Sequence, residues 1–469
     1  MKTAVIRSSW LKGYGYRLDC QPYLSGGLEA KVLLEKLPLR KDKLRTLTTG
    51  FNGGIYNGPK FSRTWVESPE YGVPFVGSSA MQYVELSGLP LLSKKLAYGR
   101  QLKHLELQPG MSLISCSGTI GKMVYARHDM AGIWSSQHIL KVVADPKKIP
   151  SGYLYAYLCS KFGVPLVVSG TYGSIIQSLG PEQIADLPVP RLAVAREHEI
   201  HALVEQASKL RTEALFEIDD ATESLQAFLN LPSLSQLNVR GFGISAVSSS
   251  DLNFRLDATY HSPAAKKADQ ALNQCCVPVR KLSDPDVTRR LFKPPMFKRL
   301  WVDDPQEGAQ FVSGIDAYKF RADDARYVSY VTPNFSEFIV REGWLIFQAA
   351  GQIYGLFARP LFVHGWLDGL FVADDMYRIV PNSPTDGAYL FAFFRTDVGQ
   401  VLIKRQSAGN SIPRVWDPQM SQLQVPWPPE LDRRHFGAQI IAANEKLFQA
   451  LQAEQHAVQI LEKSIEKGD

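Results

Sequence analysis

The sequence predicts an α/β (α+β) tandem duplication, with two globular lobes and two long antiparallel helices. Residues 195–229 and 433–467 each carry apolar side chains at steps of mostly three and four, which is typical of a long amphipathic helix. A proline-rich segment precedes each helix, LPVPRL at 187–192 and QVPWPP at 424–429. Because the same signals occur twice in the same order, the chain is predicted to be an internal repeat.

Six blocks of sequence recur in order at nearly one offset. Phe75 matches Phe311 and Tyr153 matches Tyr389, and both offsets are 236 (311 − 75 and 389 − 153). The other blocks pair 16–23 with 254–260, 59–66 with 295–302, 110–120 with 343–353, and 173–190 with 409–426. Chance does not plausibly produce six ordered matches, so each repeat is expected to be about 235 residues long.

The repeat divides the chain into five parts. We expect a first domain over 1–190, a first long helix over 191–230, a linker over 231–254, a second domain over 255–430 and a second long helix over 431–469. The linker is expected because its residues are polar and rich in Ser and Gly. Within a lobe, short apolar segments bounded by Gly or Pro favour strands, without the regular strand–helix alternation of a Rossmann domain.

Composition sets broad limits. The chain is 45% hydrophobic and 21% charged, which is ordinary for a soluble globular protein. Its net charge of +6 permits a nucleic-acid partner without requiring one. The five cysteines contain no CxxC pair, so neither a disulfide framework nor a zinc ribbon is indicated. With no signal-peptide pattern and no 18-residue apolar span, the protein is expected to be soluble and cytoplasmic.

None of the common catalytic motifs is present. The sequence has no GxxxxGK[ST] loop, no HExxH, no GxSxG and no kinase DFG or HRD set. The segment KPPMF at 293–297 approaches the adenine methyltransferase tetrapeptide, but it lacks the leading Asn or Asp that would bind the target amino group. We therefore expect no catalytic residues in this chain.

Three further patterns have ordinary structural explanations. GTIG at 118–121 could cradle a phosphate, but a turn between two strands is favoured because neither copy is followed by Lys-Ser/Thr. His198 and His201 have a spacing that can hold a metal, but the second long helix has no such pair, which favours a solvated helix face. Asp374-Asp375 has no acidic counterpart in the first copy, so a loop is favoured over a nuclease site. We expect no bound metal.

Basic, amide and aromatic side chains recur in the loops of both copies, first in a segment that ends at Trp65 or Trp301 and again later in each lobe. Such side chains hold phosphates and read base edges, although charged loops also serve only for solvation, and composition leaves both explanations open. The DNA-binding candidates are Tyr56, Lys60, Arg63, Lys122, Tyr172 and Gln177 in the first copy, and Arg290, Lys293, Lys298, Arg299, Gln352, Arg405, Asn410 and Arg414 in the second.

The ordered motifs resemble the specificity subunit of Type I restriction-modification systems over about residues 17–467. The motifs are the RLD openings, SGTIG at 117–121, WSSQHILKV at 134–142, YLYAYLCSKFG at 153–163 and an LxVP closing before each long helix. The second copy departs from the first, with GQIYG at 351–355 and FVADDMYRIV at 371–380. The two lobes are therefore expected to read different sequences.

This resemblance implies a non-catalytic subunit with two target-recognition domains, each reading one half of an interrupted double-stranded DNA site. It implies two adenine N6 methyltransferase subunits as partners, and often a restriction motor-nuclease subunit. S-adenosylmethionine, ATP and Mg are then expected on those partners, and no cofactor on this chain. The long helices, with residues such as Leu203, Leu210, Leu447 and Leu451, would form the spacer, and their outer faces and adjoining lobe surfaces would bind the methyltransferase.

The expected helix length suits this role. A helix of about 35 residues spans ~50 Å, and half-sites one turn apart on B-DNA are ~34 to 36 Å apart. Three alternatives stay open from the sequence alone. They are a recognition subunit of another phage-defence complex, an interaction scaffold that does not bind DNA, and an enzyme such as a nuclease with an unrecognised site.

Overall fold

The structure is a computed structural model of the 469-residue chain. It describes residues 5–6, 8–13, 20–172, 177–237, 244, 246–249, 252, 255–322, 325–352, 355–409, 411–415 and 417–468. The chain forms two compact units. The first unit contains residues 1–212 and 449–469, and the second unit contains residues 213–448.

Helices and strands alternate irregularly along both units. The α-helices are α1 (Ser8–Gly13), α2 (Gln21–Leu24), α3 (Gly27–Lys36), α4 (Lys94–Ala97), α5 (Ser151–Cys159), α6 (Gly163–Ser169), α7 (Pro181–Ile184), α8 (Val194–Phe228), α9 (Leu234–Leu237), α10 (Pro263–Asn273), α11 (Phe335–Phe338), α12 (Pro384–Arg395), α13 (Asp397–Arg405), α14 (Asp417–Gln422) and α15 (Glu430–Lys467). The strands of the first unit are β1 (Lys41–Lys43), β2 (Ile55–Tyr56), β3 (Trp65–Val66), β4 (Gly72–Val76), β5 (Leu91–Ser93), β6 (Ser112–Ser115), β7 (Met123–Tyr125), β8 (Trp134–Ser135), β9 (Ile139–Val142) and β10 (Pro188–Pro190). Those of the second unit are β11 (Val279–Lys281), β12 (Thr288–Phe292), β13 (Trp301–Val302), β14 (Gly308–Val312), β15 (Tyr327–Ser329), β16 (Leu345–Gln348), β17 (Pro360–Phe362), β18 (Phe371–Val372), β19 (Met376–Pro381), β20 (Ser407–Ala408), β21 (Arg414–Val415) and β22 (Gln424–Pro426).

Each unit contains the same two four-stranded sheets. The first sheet has the order β2-β9-β6-β7 in the first unit and β12-β19-β16-β17 in the second unit. The second sheet has the orders β3-β5-β4-β8 and β13-β15-β14-β18, and its last pair is parallel in both units. This repeated topology confirms the predicted α/β tandem duplication.

A short two-stranded ribbon closes each lobe just before its long helix. β1 pairs with β10, and β11 pairs with β22. The prolines of the LPVP segments lie at such edges because they cannot donate a ladder hydrogen bond. The hydroxyl of Tyr153 donates to the carbonyl of Pro190 (2.6 Å), and that of Tyr389 donates to the carbonyl of Pro426 (2.8 Å). The same buried tyrosine therefore fixes the start of both long helices.

The long helices enter the lobe cores, whereas their narrow apolar stripes alone would favour packing of each helix against one partner helix. In the first unit, Ile200 of α8 and Leu461 of α15 belong to the core that contains Tyr153. In the second unit, Ile218 and Ile440 belong to the core around Tyr389. An apolar stripe serves equally well against a sheet-and-helix lobe as against a helix, and periodicity alone does not distinguish the two.

The two helices run antiparallel where they meet within a unit. In the second unit, Glu217 forms an ion pair with Lys446, and the ring of Phe228 lies 5.4 Å from that of Phe436. Later residues of α8 thus pair with earlier residues of α15, as predicted. Across the residues that the structure describes, no helix combines the length and apolar character needed to cross a membrane.

Candidate nucleic-acid interface

Two residues join the two sheets of each lobe, and we call them the junction dipeptide: Gln137-His138 in the first unit and Asp374-Asp375 in the second. On one side, the amide of Ser136 donates to the carbonyl of Val76 in the second sheet (2.9 Å). On the other side, the amide of Cys116 donates to the carbonyl of His138 (2.9 Å) as β9 begins in the first sheet. Backbone hydrogen bonds therefore hold the dipeptide from both sides.

The second unit repeats these bonds at equivalent positions. The amide of Ala373 donates to Val312 (3.0 Å), and the amide of Ala349 donates to the carbonyl of Asp375 (2.8 Å). All four dipeptide side chains are partly exposed. The two lobes therefore present different side chains on the same backbone frame.

A buried basic side chain hydrogen-bonds to backbone carbonyls next to the junction dipeptide in each lobe. The ammonium of Lys141 donates to the carbonyl of Ile139 (3.0 Å), and burial lowers its pKa to about 7. At the equivalent position, Arg378 donates to the carbonyls of Val372 (2.7 Å) and Ala373 (3.0 Å), and burial lowers its pKa to about 9. These carbonyls flank the dipeptides, so the buried cations help to fix the backbone that leads into and out of them.

A further loop lies beside the dipeptide in both lobes. The amide of Leu179 donates to Cys116, and that of Val415 donates to Ala349, both at 2.9 Å. These bonds place the segments around Tyr172 and Arg414 next to the strand ends that also hold the dipeptides. The loops after β6 and β16, the dipeptides and these segments thus share one edge of each lobe, which we call the recognition edge.

An arginine stacked on an aromatic pair stands at the recognition edge of the first unit. The guanidinium of Arg63 lies 5.2 Å from the ring centre of Phe75 and 6.0 Å from that of Trp65. It also donates to the side-chain oxygen of Gln137 (3.1 Å). Trp65 is 47% exposed, so arginine and indole are both accessible to a large partner.

The second unit has a related arrangement, in which a second arginine, Arg326, lies over the tryptophan, with its guanidinium 4.7 Å from the ring centre of Trp301. Arg299 lies 5.3 Å from the ring centre of Phe311, and Trp301 meets that ring edge-on at 5.2 Å. Trp301 is 45% exposed. Burial, followed by the charge of Asp374, raises the pKa of Asp375, and the charge of Arg299 acts in the opposite direction. Arg299 is therefore close to its dipeptide, as Arg63 is to its own.

Several predicted residues lie together at these edges. In the first unit, burial and then the charges of Arg63 and Lys60 lower the pKa of His138, which places both cations near the dipeptide. Lys122 ends the turn after β6, while Tyr172 and Gln177 lie in the neighbouring segment.

Predicted residues of the second unit gather in the same way. Gln352 donates to the carbonyl of Ser411 (3.1 Å), Arg414 is exposed beside it, and Lys298 is exposed next to Arg299. The turn after β16 and the segment that contains Arg414 are thereby joined at the recognition edge.

Other candidates are occupied elsewhere. Tyr56 is only 4% exposed and packs under Phe51 and His104, so its ring is not available to a DNA duplex in this structure. Arg405 pairs with Asp269 and stacks on a tyrosine ring, where it joins α13 to α10. Both segments had been predicted as exposed loops, but strand pairing buries the first and helix packing engages the second.

The remaining candidates of the second unit are mixed. Arg290 pairs with Glu337 (2.6 Å) and lies over Phe292, so its charge is partly neutralised. Lys293 is partly exposed, and its charge opposes the rise that burial causes in the pKa of Asp417. Asn410 lies outside the described residues.

The rejected patterns have structural roles. GTIG at 118–121 forms the turn between β6 and β7, with Gly118 and Gly121 at positive φ (77° and 84°). The predicted solvated face is correct for His198 but wrong for His201, which is half-buried: its Nδ1 accepts from the amide of Gly152 (3.1 Å) and anchors α5 to α8. No cluster of three or more metal-ligating side chains occurs in the part of the chain that the structure describes.

Prediction from residue types missed Gln137 and His138, and it placed Asp374 and Asp375 only in a loop. The available signal was the contrast between WSSQHILKV and FVADDMYRIV at aligned positions. In these two blocks the apolar positions match, while two adjacent polar positions differ. This pattern is expected where two copies share a backbone structure but bind different chemical groups.

Comparison with known proteins finds similarity in solved structures only. No family model matches this chain, nor does any curated protein. It is similar to the Type-I restriction-modification system S subunit from M. genitalium, with 11% identity over 92% of this chain and 96% of that chain (TM-score 0.36).

Two further structures show similarity at the same identity of 11% and the same share of this chain, 92%. One is the HsdS subunit from Thermoanaerobacter tengcongensis, covered to 98% (TM-score 0.29). The other, covered to 97%, comes from work on complex assembly and conformational transition of the type I R-M system (TM-score 0.27).

Proposed function

We propose that this chain is the sequence-specific DNA-binding subunit of a Type I restriction-modification system. Each lobe reads one half of an interrupted DNA site with its recognition edge. The observation that carries the proposal is the edge itself, built twice with the same stacked arginine and exposed tryptophan but with different junction dipeptides. One frame with two sets of reading side chains is what a bipartite site requires.

The chemistry of the edge suits a duplex. Arg63 and Arg299 present cations for phosphates, and the exposed faces of Trp65 and Trp301 can pack against sugars or bases. Amide and carboxylate side chains lie beside them and can hydrogen-bond to base edges in the major groove. Two modest sites on one chain also gain affinity together, because the second contact becomes intramolecular.

We further propose that the chain performs no chemistry of its own. It directs an adenine N6 methyltransferase, and a restriction motor-nuclease, to the site. S-adenosylmethionine, ATP and Mg then belong to those subunits. The solvent-exposed faces of α8 and α15 supply the docking surface for the methyltransferase, and the lengths of these helices, 35 and 38 residues, set the gap between half-sites.

The direct test is to purify the chain with an adenine methyltransferase subunit encoded beside it and to map methylated adenines in a genome by single-molecule sequencing. We expect one two-part motif with a fixed gap, which disappears when this chain is omitted. Methylation that persists without this chain, or none with it, would contradict the proposal.

Binding measurements separate the alternatives. A DNA-recognition subunit, alone or with its methyltransferase, binds duplex DNA with an affinity that falls steeply between about 50 and 200 mM salt, because phosphate contacts release counterions. A scaffold that does not bind DNA shows no such dependence. A subunit of another defence complex binds the same kind of site but purifies with other partners.

A further inference from the structure

The two recognition edges can be compared residue by residue because they share one frame. Positions with the same side chain in both lobes are expected to contact the parts of the DNA that both half-sites share. Positions with different side chains are expected to contact the parts that differ between the half-sites. Phosphates and sugars are common to any half-site, whereas bases differ.

The constant positions are an arginine and two aromatic residues. Arg63 lies over Phe75 as Arg299 lies over Phe311, with guanidinium-to-ring distances of 5.2 and 5.3 Å, and an exposed tryptophan, Trp65 or Trp301, packs against each phenylalanine. We therefore expect these residues to contact the sugar-phosphate backbone of the DNA, which has the same chemistry in both half-sites.

The variable position is the junction dipeptide. Gln137-His138 offers side chains that both donate and accept hydrogen bonds, whereas the carboxylate oxygens of Asp374-Asp375 accept them. Backbone bonds on both sides and the cation beneath hold the frame in both lobes, so these side chains can change without loss of the fold.

We propose that Asp374 specifies a cytosine in the half-site read by the second lobe, by accepting a hydrogen bond from its N4 amino group in the major groove. This inference rests on the proposed function. Among base edges in that groove, cytosine offers an amino donor without an adjacent acceptor. Adenine places its N7 acceptor beside the amino group, and guanine and thymine present acceptors that repel a carboxylate.

The surroundings of Asp374 sharpen this preference. Its neighbour Asp375 is only partly exposed, and one of its carboxylate oxygens is buried without a hydrogen-bond partner among the described residues. Gly314 leaves room for this carboxylate, because a Cβ at residue 314 would lie 2.9 Å from the other oxygen. Two carboxylates close to DNA phosphates are unfavourable unless a hydrogen-bond donor meets them. A base without such a donor therefore loses the hydrogen bond and also lowers the affinity through repulsion.

The test compares Asp374→Asn with Asp374→Glu and Arg299→Ala in the complex with the methyltransferase, using methylation maps and selection from a randomised duplex library. In Asp374→Asn, we expect the preference for cytosine at one position of one half-site to fall by roughly tenfold, with the other half-site unchanged. Asp374→Glu retains the acceptor and should retain cytosine. Arg299→Ala should weaken binding to all sequences alike and reduce the log–log salt slope by about one.

The outcomes distinguish this inference from the proposed function. A wild-type complex with a two-part motif that Asp374→Asn leaves unchanged overturns the cytosine assignment alone. The same holds if both half-sites relax, or if the Glu and Asn variants lose the preference equally. A wild-type complex without any two-part motif overturns the proposed function and this inference together.

Discussion

Tyr155 donates its phenolic hydrogen to the carboxylate of Glu454, with 3.1 Å between the two oxygens. Arg211 of α8 forms an ion pair with the other carboxylate oxygen, and the side chains of this pair are only 6% and 8% exposed. A lobe helix and both long helices of the first unit therefore meet at one buried carboxylate. An ion pair in such a place fixes register, because a shifted helix would leave a charge buried without its partner.

Arg211→Ala is expected to destabilise this meeting point by roughly 3 kcal/mol, because it leaves the charge of Glu454 buried. Hydrogen exchange of α5 peptides measures the change in opening free energy. Arg196→Ala on the same helix is the control, since its pair with Glu199 is 44% and 48% exposed and should contribute less than about 1 kcal/mol. Equal effects of the two substitutions would show that burial of the pair has no energetic consequence.

Lys141 should make the stability of the first unit depend on pH. Its pKa is about 7 in the folded chain, whereas an unfolded lysine has a pKa near 10.4. Between these values the unfolded state binds more protons, so stability rises with pH, by at most about 1.4 kcal/mol per unit. As the pH falls from about 10 to about 7, the contribution of neutral Lys141 to the free energy of unfolding decreases. Below about pH 7 the lysine is protonated in both states, and its contribution no longer changes with pH.

The substitution Lys141→Met removes this proton linkage. Urea unfolding of wild type and variant at pH 7, 8 and 9 should show the wild type gaining stability relative to the variant as pH rises. Lys148→Met, at an exposed lysine, is the control and should give a difference that does not change with pH. A pH-independent difference for Lys141→Met would mean that the ammonium keeps its ordinary pKa.

Arg378→Lys tests the fork that supports the second dipeptide. The guanidinium reaches the carbonyls of Val372 and Ala373 at once, and an ammonium does not reproduce this planar geometry. We expect a loss of roughly 2 kcal/mol in the protection of residues 371–376 against hydrogen exchange, because buried carbonyls lose a partner. Arg341→Lys, at an exposed arginine, is the control. If residues 371–376 kept their protection in Arg378→Lys, backbone hydrogen bonds alone would hold the dipeptide.

Lengthening both long helices tests their proposed role as a spacer. Seven residues inserted between Thr212 and Glu213, with seven between Phe448 and Gln449, add about 10.5 Å to each helix and nearly preserve its face. The gap between half-sites should grow by about three base pairs, at about 3.4 Å each, with both half-sites unchanged. Methylation mapping measures the gap, and seven residues inserted between Ser248 and Ser249 serve as the control. A constant gap would exclude the spacer role.

Much of the fold was predictable because its signals are local. Helical periodicity and repeated blocks are properties of neighbouring residues, so α8, α15 and the duplication follow from the order of side chains alone. The equivalence of Arg63 and Arg299 was also predictable, since they occupy matching positions in matching blocks, but their stacking on phenylalanine rings was not. The extents of the two predicted domains, their role in recognition and the contacts with DNA stay predictions.

Which of the candidate residues are exposed and which are buried or paired could be seen only in the tertiary structure. Tyr56 was predicted in an exposed loop, but pairing with Lys141 on a strand 85 residues away (141 − 56) buries it. Arg405 is engaged by Asp269, 136 residues distant. The dipeptides became recognisable only when two sheets were seen to meet at them. The sequence by itself therefore determined two repeated lobes and two long helices, whereas sheet pairing decided which polar side chains face solvent, because burial depends on neighbours that are distant along the chain.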